Sequence, residues 1–366
     1  MTDTHHPAAA PSALEAILDR ARWAPSGDNT QPWRFQVIGP RHVVVHGYDT
    51  RQQCIYDLTG QGSQLSLGAL LETMAIAATA HRWAAVISRR RDSPDERPVF
   101  DVHFDAARGV EPDPLMRYIE TRCVQRRPMK WRRLAADEKA ALERAVAPRY
   151  RLIWVEGSSK FRMAKLLFRN AGLRLTMPEA YRTHRGIIEW DAVHSEEKIP
   201  DAALGASRLT LHVMKWAMQS WERVAFMNRY LAGTLLPRIE MDVVPALACG
   251  AHCLLVAPEP PRTFDDYLTA GRAVQRFWLT VAQVGLHLQP EMTPLIFASY
   301  VRGGVRFSAD PVMLKRGEKI ARELEGLIGT SAESCSVFMA RLGAASAPKA
   351  RSLRKPLKRL LQTDSP

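Results

Sequence analysis

The sequence predicts an α+β fold made of two diverged copies of one helix-and-strand unit in a single chain. Three observations predict it. Residues 65–83, LSLGALLETMAIAATAHRW, and 268–286, LTAGRAVQRFWLTVAQVGL, share one layout: Leu65 matches Leu268, Gly68 matches Gly271, and Leu71, Met74, Ala75 and Ala78 match Val274, Phe277, Trp278 and Val281. Upstream, Leu18-Asp19-Arg20-Ala21 before Ala24-Pro25 is echoed by Leu142-Glu143-Arg144-Ala145 before Ala147-Pro148. A strand-like run follows both, at 34–38 and 151–155. Repetition of elements in the same order is the mark of an internal repeat. The copies are expected at 12–115 and 116–366.

Composition bounds the class. With 46% hydrophobic and 24% charged residues, the 366-residue chain is that of a folded protein, which excludes disorder and fibrous repeats. No run of about eighteen apolar residues occurs, so no spanning helix and no membrane partner are expected. The start, MTDTHHPAAAPS, lacks a basic stretch followed by an apolar one, and five scattered Cys suit reduced thiols, so a cytoplasmic location is expected. Lys and Arg outnumber Asp and Glu by 51 to 38, net +13, which favours anions: a cofactor phosphate, nucleic acid or an anionic membrane.

Taken in order, residues 1–11 read as a disordered lead. Ser12 with Glu15 three residues on forms a capping box for a helix that Ala24-Pro25 stops after Trp23. Strands are predicted at 33–38 and 43–46, then a helix over 65–83, apolar on nearly all sides as in a core. In the second copy a strand at 151–155 is followed by a long helical insertion, about 158–245, rich in Met, Trp and Arg, which reads as a lid or an interface arm. Its Met214, Trp216, Met218 and Trp221 fall at helical spacing and are expected in the core, with a ligand-covering role open to one or two. Tyr181, His184 and His194 read as packing or surface residues, with proton donation as the alternative. Cys249 and Cys253 read as structural thiols, since CxxxC with an internal His is not a zinc spacing, and no metal site is expected. A strand at 254–256, a helix at 268–286, a helix at 311–328, a strand at 336–341 and the basic tail KARSLRKPLKRL complete the chain.

The most informative stretch is APSGDNTQPW, residues 24–33. Pro25 ends a helix, Ser26-Gly27-Asp28-Asn29 offers backbone donors with a hydroxyl and an amide, and Gln31-Pro32 forces an extended exit. The spacing resembles the APSxxNxQPW segment of the nitroreductase family of FMN-binding oxidoreductases. That family's Arg-x-Ser/Thr-x-Arg phosphate run is similar to Arg122-Cys123-Val124-Gln125-Arg126, with Val124 in place of the hydroxyl residue. Gly285-Leu286-His287-Leu288-Gln289-Pro290 resembles the segment leading to the isoalloxazine ring, and Arg351-Ser352-Leu353-Arg354-Lys355-Pro356 resembles the C-terminal phosphate-binding group. The resemblance touches residues 13 to about 358.

The resemblance implies a nitroreductase-like three-layer sandwich, here a pseudo-dimer within one chain. It implies FMN held by Pro25, Ser26, Gly27 and Asn29, by Arg122, Gln125 and Arg126, by Gln289 and Pro290, and by Arg351 and Arg354. Guanidinium forks suit a phosphate dianion, and the flavin carries the redox chemistry, so no catalytic side chain is named. Each signature occurs once, the loop in the first copy and the arginine run in the second, which implies one intact flavin site and one lost. No GxGxxG or Walker loop supplies a separate nucleotide module, so NAD(P)H, as donor, must stack on the flavin. The function implied is an FMN-dependent oxidoreductase passing electrons to a small organic acceptor; the alternative is an FMN-binding, sequestering protein without turnover. Nucleic acid is not an expected partner, because no recognition motif accompanies the basic tail.

Overall fold

Ser12 opens the first helix, α1 (Ala13–Ala21), through a reciprocal cap: its hydroxyl accepts from the Glu15 N–H at 3.2 Å, and the Glu15 carboxylate accepts from the Ser12 N–H at 2.8 Å. The computed structural model describes residues 11–362, so the expected disordered lead lies almost wholly outside the described residues. After α1 come β1 (Trp33–Gly39), β2 (His42–Gly47), α2 (Gln61–Ala78), β3 (Trp83–Arg89) and β4 (Val99–Ala106). They form an antiparallel sheet of order β1-β2-β4-β3. One face of it carries Trp33, Phe35, Val43, Val45, Phe100, Val102 and Phe104, packed on Leu14, Ile17 and Leu18 of α1 and on Leu67, Leu70, Leu71 and Met74 of α2.

The second unit runs α3 (Ala136–Val146), β5 (Arg151–Val155), α4 (Ser159–Leu175), α5 (Pro178–Ile187), α6 (Arg208–Ala217), α7 (Trp221–Tyr230), β6 (Ala251–Val256), α8 (Phe264–Gln283), β7 (His287–Pro290), α9 (Thr293–Arg302), α10 (Pro311–Ile328) and β8 (Ser336–Gly343). Its antiparallel sheet has the order β5-β6-β8-β7. First, second, fourth, third: the order is that of the first sheet, and a helix precedes the first strand and follows the second in both. The second sheet is buried on both faces. Cys253, Leu255, Ala340 and Leu342 face α3 and α8, whereas Leu254, Val256 and Met339 face α4, α9 and α10, giving helix, sheet and helix layers. Burial of β6 at every position follows from this.

Helices α2 and α8 cross where glycine lets the backbones touch. A Cβ on Gly68 would lie 2.0 Å from the Leu268 carbonyl oxygen, and one on Gly271 would lie 2.1 Å from that of Leu65. The contact is reciprocal, joining the two Leu and two Gly positions that the sequence pairs with each other. Around it, Arg272 and Arg276 of α8 both reach Glu72 of α2, at 2.8 and 2.9 Å.

Several expectations change. The first core helix spans 61–78 rather than 65–83, because Asp57 caps it from outside the apolar pattern, accepting from Gly62 N at 2.7 Å and from Ser63 N at 3.2 Å. It ends because Arg82 takes a left-handed conformation, φ 54°, and Trp83 opens a strand. Trp216, expected in the core, is 44% exposed. The insertion at 158–245 is of two kinds. Helix α4 buries Met163, Leu166, Leu167 and Leu173 in the outer core layer, so it braces the fold, while residues 207–244 are mostly exposed or half-buried.

A segment from outside each sheet closes its free edge. Val124 forms a parallel bridge with Leu288 at the free edge of β7, and Leu361 forms one with Phe35 at the free edge of β1. Leu360 is buried in the core of the first unit, so the chain's last described residues belong in space to the first unit, not to the second in which the sequence reading puts them.

Candidate functional site

Four arginines from two distant stretches meet. Arg122 and Arg126 come from the segment that crosses to β7; Arg351 and Arg354 come from the segment that returns to β1, held there by parallel pairing of Arg351 and Ser352 with His194 and Ser195. With Pro25, Ser26, Asp28 and Asn29 they line a pocket of about 80 Å³. A water needs roughly 10–15 Å³ on this measure, so there is room for one phosphate-sized group.

The protein offers these guanidinium groups only carbonyl oxygens. Arg122 donates to Trp23 O at 2.8 Å and lies 4.5 Å from the Trp278 ring centroid; Arg351 donates to Glu120 O at 2.7 Å. Arg354 donates to Ala24 O at 3.1 Å, and Arg126 reaches only Ala203 O, at 3.4 Å. Among the described residues, no carboxylate forms an ion pair with any of the four. Arg122 is 4% exposed and Arg354 9%, and the Nε atoms of Arg122 and Arg351 are buried without a partner. Burial, with Arg351 adding to it, pushes Arg122 down to about 10. Burial, then Arg122, Arg351 and Arg22, holds Arg354 well below the ordinary arginine value. Like charges crowded out of water with no counter-ion favour a bound anion.

Residues 25–31 form the wall opposite. Asp28, Asn29 and Gln31 all take positive φ, 51°, 62° and 51°, a conformation that costs non-glycine residues energy and that the surroundings must fix. Gln31 N donates to Ser26 Oγ at 3.0 Å. The Gln31 side chain donates to Glu196 O at 2.8 Å and accepts from Lys355 N at 2.8 Å, while Asn29 Nδ2 donates to Glu196 O at 3.1 Å. The loop is thus clamped by the insertion and by the C-terminal segment.

Pro25, Ser26, Asp28, Val124, Arg126 and Trp278 also line a cavity of about 470 Å³, which Gly27, Gln289 and Pro290 join. That volume suits a planar cofactor with space for a second molecule. Gln289 Oε1 is buried without a partner. The inner end is polar: Tyr56 and His184 share a hydrogen bond of 2.7 Å, and Arg174 pairs with Asp242 at 3.1 Å. Burial, then Arg174, lowers His184 to about 3, and burial raises the Tyr56 phenol, so both are neutral at pH 7. Met214 and Met218 of α6 and Met241 close one side.

Of the residues expected to hold FMN, Gln125 is the one absent from both cavities: its Nε2 donates to Ser346 O at 2.8 Å and its Oε1 accepts from Arg127 N at 3.0 Å. His184, read from the sequence as packing, lines the large cavity. Tyr56, Arg174 and Asp242 carried no motif, and only the fold gathers them. Glu291 and Arg341 form another unanticipated cluster, with Glu291 accepting from Arg341 at 2.9 Å and bonding His252 at 2.7 Å. Burial alone would lower His252; the Glu291 and Cys249 contacts outweigh it and push it up to about 10. Cys249 and Cys253 gather no metal-like set. The one such set among the described residues is His42, Asp101 and His103, which lines neither cavity and where Arg90 already holds Asp101 at 2.7 Å.

The family model described as the nitroreductase family matches residues 7–59, which build α1, the loop and the β1–β2 hairpin. Uncharacterized protein MT1398 of Mycobacterium tuberculosis (strain CDC 1551 / Oshkosh) is 25% identical over 355 residues, 95% of this chain and 48% of the relative. Uncharacterized protein Rv3127 of Mycobacterium tuberculosis (strain ATCC 25618 / H37Rv) is 29% identical over 141 residues, 36% of this chain and 41% of the relative. The chain spans half or less of the length of these curated relatives. Among solved structures, the FMN-dependent nitroreductase NfnB from Mycobacterium smegmatis, in complex with NADPH, is 12% identical with a TM-score of 0.38, covering 68% of this chain and 97% of that one. The matched segment, whose loop forms the wall of both cavities, is thus similar to the nitroreductase family.

Proposed function

We propose that this chain is an FMN-dependent oxidoreductase that passes electrons from NAD(P)H to a small organic acceptor. One observation carries the reading: a phosphate-sized pocket of four arginines without carboxylate partners opens on the same wall as a cavity large enough for a flavin ring. The residues fit the group. Arg122, Arg126, Arg351 and Arg354 would hold the phosphate, with the unpartnered Nε atoms of Arg122 and Arg351 as free donors. Residues 25–29 and Gln289 would border the ring.

Bound FMN supplies two-electron redox chemistry as a hydride equivalent. The chain's own residues bind, orient and protect. The clamped loop fixes the ring wall, Met214 and Met218 exclude water, and Tyr56 Oη, bonded to neutral His184, holds a proton at the cavity surface for an acceptor that needs one. The shared strand order and the reciprocal glycine crossing support reading the two units as a pseudo-dimer in which one of two ancestral sites survives. The five unpaired cysteines are in keeping with action in the cytoplasm.

An absorbance spectrum tests this. The purified protein should show flavin bands, release about one FMN per chain on denaturation, and bleach with NADPH or NADH without oxygen. Bands that resist both nucleotides would make it a sequestering protein. Two FMN per chain would overturn the single surviving site, and failure to bind FMN would overturn the reading.

A further inference from the structure

We propose that residues 207–244 seat this protein on an anionic lipid surface. Of seventeen exposed large hydrophobic residues among those described, ten lie between 209 and 244, a concentration unlike the scattered singles of an ordinary surface. Leu209, Val213 and Trp216 follow at i, i+4 and i+7 along the outer side of α6, while Thr210 and Ala217 are buried and Met214 and Met218 line the cavity. The helix is therefore apolar on two sides, and only the inner one is covered. Helix α7 buries no residue and presents Phe226, and Leu231 and Leu236 continue the surface. Ser207 N donates to Glu240 Oε2 at 2.8 Å, so the segment's two ends meet, and its inner side is held by Tyr181 on Met218 O and by Asn228 on Leu175 O.

Charge decides what covers it. Arg208, Arg223 and Arg229 rim the surface, while Lys215 is paired with Asp191; Arg223 lies 4.8 Å from the Trp216 ring centroid and Arg229 lies 5.4 Å from that of Tyr230. Aromatic rings with guanidinium groups over them suit the headgroup level of a bilayer, rings in the boundary and charges at the phosphates. The acids are mostly engaged: Asp242 bonds Arg174, Glu240 bonds the backbone of Ser207 and Asp191 pairs with Lys215, leaving Glu222. A second copy would set one cationic rim against another and net +13 against +13, whereas an anionic bilayer attracts both. No described helix is long and apolar enough to cross a membrane, and a peripheral seat needs none. The earlier expectation of no membrane partner rested on the absence of a spanning run, which does not bear on such a contact. The proposal is independent of the flavin reading.

Vesicle flotation of the full chain tests it, with phosphatidylcholine vesicles alone or containing phosphatidylglycerol. The protein should float with the anionic vesicles only, and less as salt rises. Leu209→Ser, Trp216→Ser and Leu236→Ser combined, all at exposed positions, should lower the partition coefficient at least about tenfold with an unchanged circular dichroism spectrum. Arg208→Gln with Arg229→Gln, both at exposed positions, should weaken binding and flatten its salt dependence. Absence of flotation, or flotation indifferent to both variants, would overturn the proposal. A concentration-dependent dimer in sedimentation that the apolar variant abolishes would assign the surface to a second copy instead.

Discussion

Arg126 has the weakest protein contact of the four arginines, a 3.4 Å approach to Ala203 O, and it borders both cavities. Burial, aided by Arg341 and opposed by Asp28, pushes it down to about 10, so the folded protein gains little from this charge until an anion arrives. Arg126→Ala should therefore weaken FMN binding about 10- to 150-fold, the worth of one charge-assisted contact of roughly 1.5–3 kcal/mol. Apoprotein Tm should not fall, because removing an unpaired buried charge relieves a desolvation cost. Fluorescence titration with FMN and a thermal melt of the apoprotein separate the two effects. A lowered Tm with unchanged affinity would make Arg126 a structural residue. Arg354 differs, since its bond to Ala24 O also fixes the entry to the loop, and its loss should reduce both quantities.

At the scale of elements, the α2–α8 crossing is where packing is least forgiving. A methyl group on Gly271 would sit 2.1 Å from the Leu65 carbonyl, a backbone atom that can move only with its helix. Gly271→Ala should cost about 3 kcal/mol or more, near the upper end of overpacking effects. Gly326→Ala is the control: it is an exposed position of α10 with nothing within 4 Å of the added carbon, and it should stabilise by a few tenths to about 1 kcal/mol. Urea midpoints of both variants check the pair, and equal effects would refute the close crossing. This crossing was legible because both helices carry the same Leu and Gly layout, and β5 and α10 were legible at their observed bounds because each has an unbroken local pattern. Strands β3 and β4 escaped notice, although VFDVHFDA at 99–106 alternates and buries Phe100, Val102 and Phe104. Trp216 was misread because helical spacing gives a face without saying whether anything covers it. The Tyr56, His184, Arg174 and Asp242 group was not legible at all, since it joins residues up to 186 positions apart that no motif links.

Across the whole molecule, binding and folding are tied through the two segments that close the sheet edges. The C-terminal one does two things. Residues 357–362 finish the first unit, with Leu360 in its core and Gln362 N donating to Phe35 O at 2.8 Å beside β1. Residues 351–354 bring two of the four pocket arginines and pair with the insertion at His194 and Ser195. A chain ending at Ala350 removes both roles, whereas Arg351→Gln with Arg354→Gln removes the two guanidinium groups, with their bonds to Glu120 O and Ala24 O, and keeps the segment. The truncated chain should melt well below the full one, because a buried leucine and an edge pairing are lost, at about 2–5 kcal/mol for the leucine alone. It should bind no FMN. The double variant, which loses the Arg354 bond to Ala24 O but keeps the buried leucine and the edge pairing, should lose less Tm than the truncated chain and still lose FMN affinity about 100-fold or more, two charge-assisted contacts at once. Melting temperature and FMN affinity measured on both proteins give four numbers, and the design requires them to dissociate. A truncated chain with wild-type stability would show that the last segment is not part of the first unit's core, and a double variant with wild-type affinity would leave the phosphate to Arg122 and Arg126 alone.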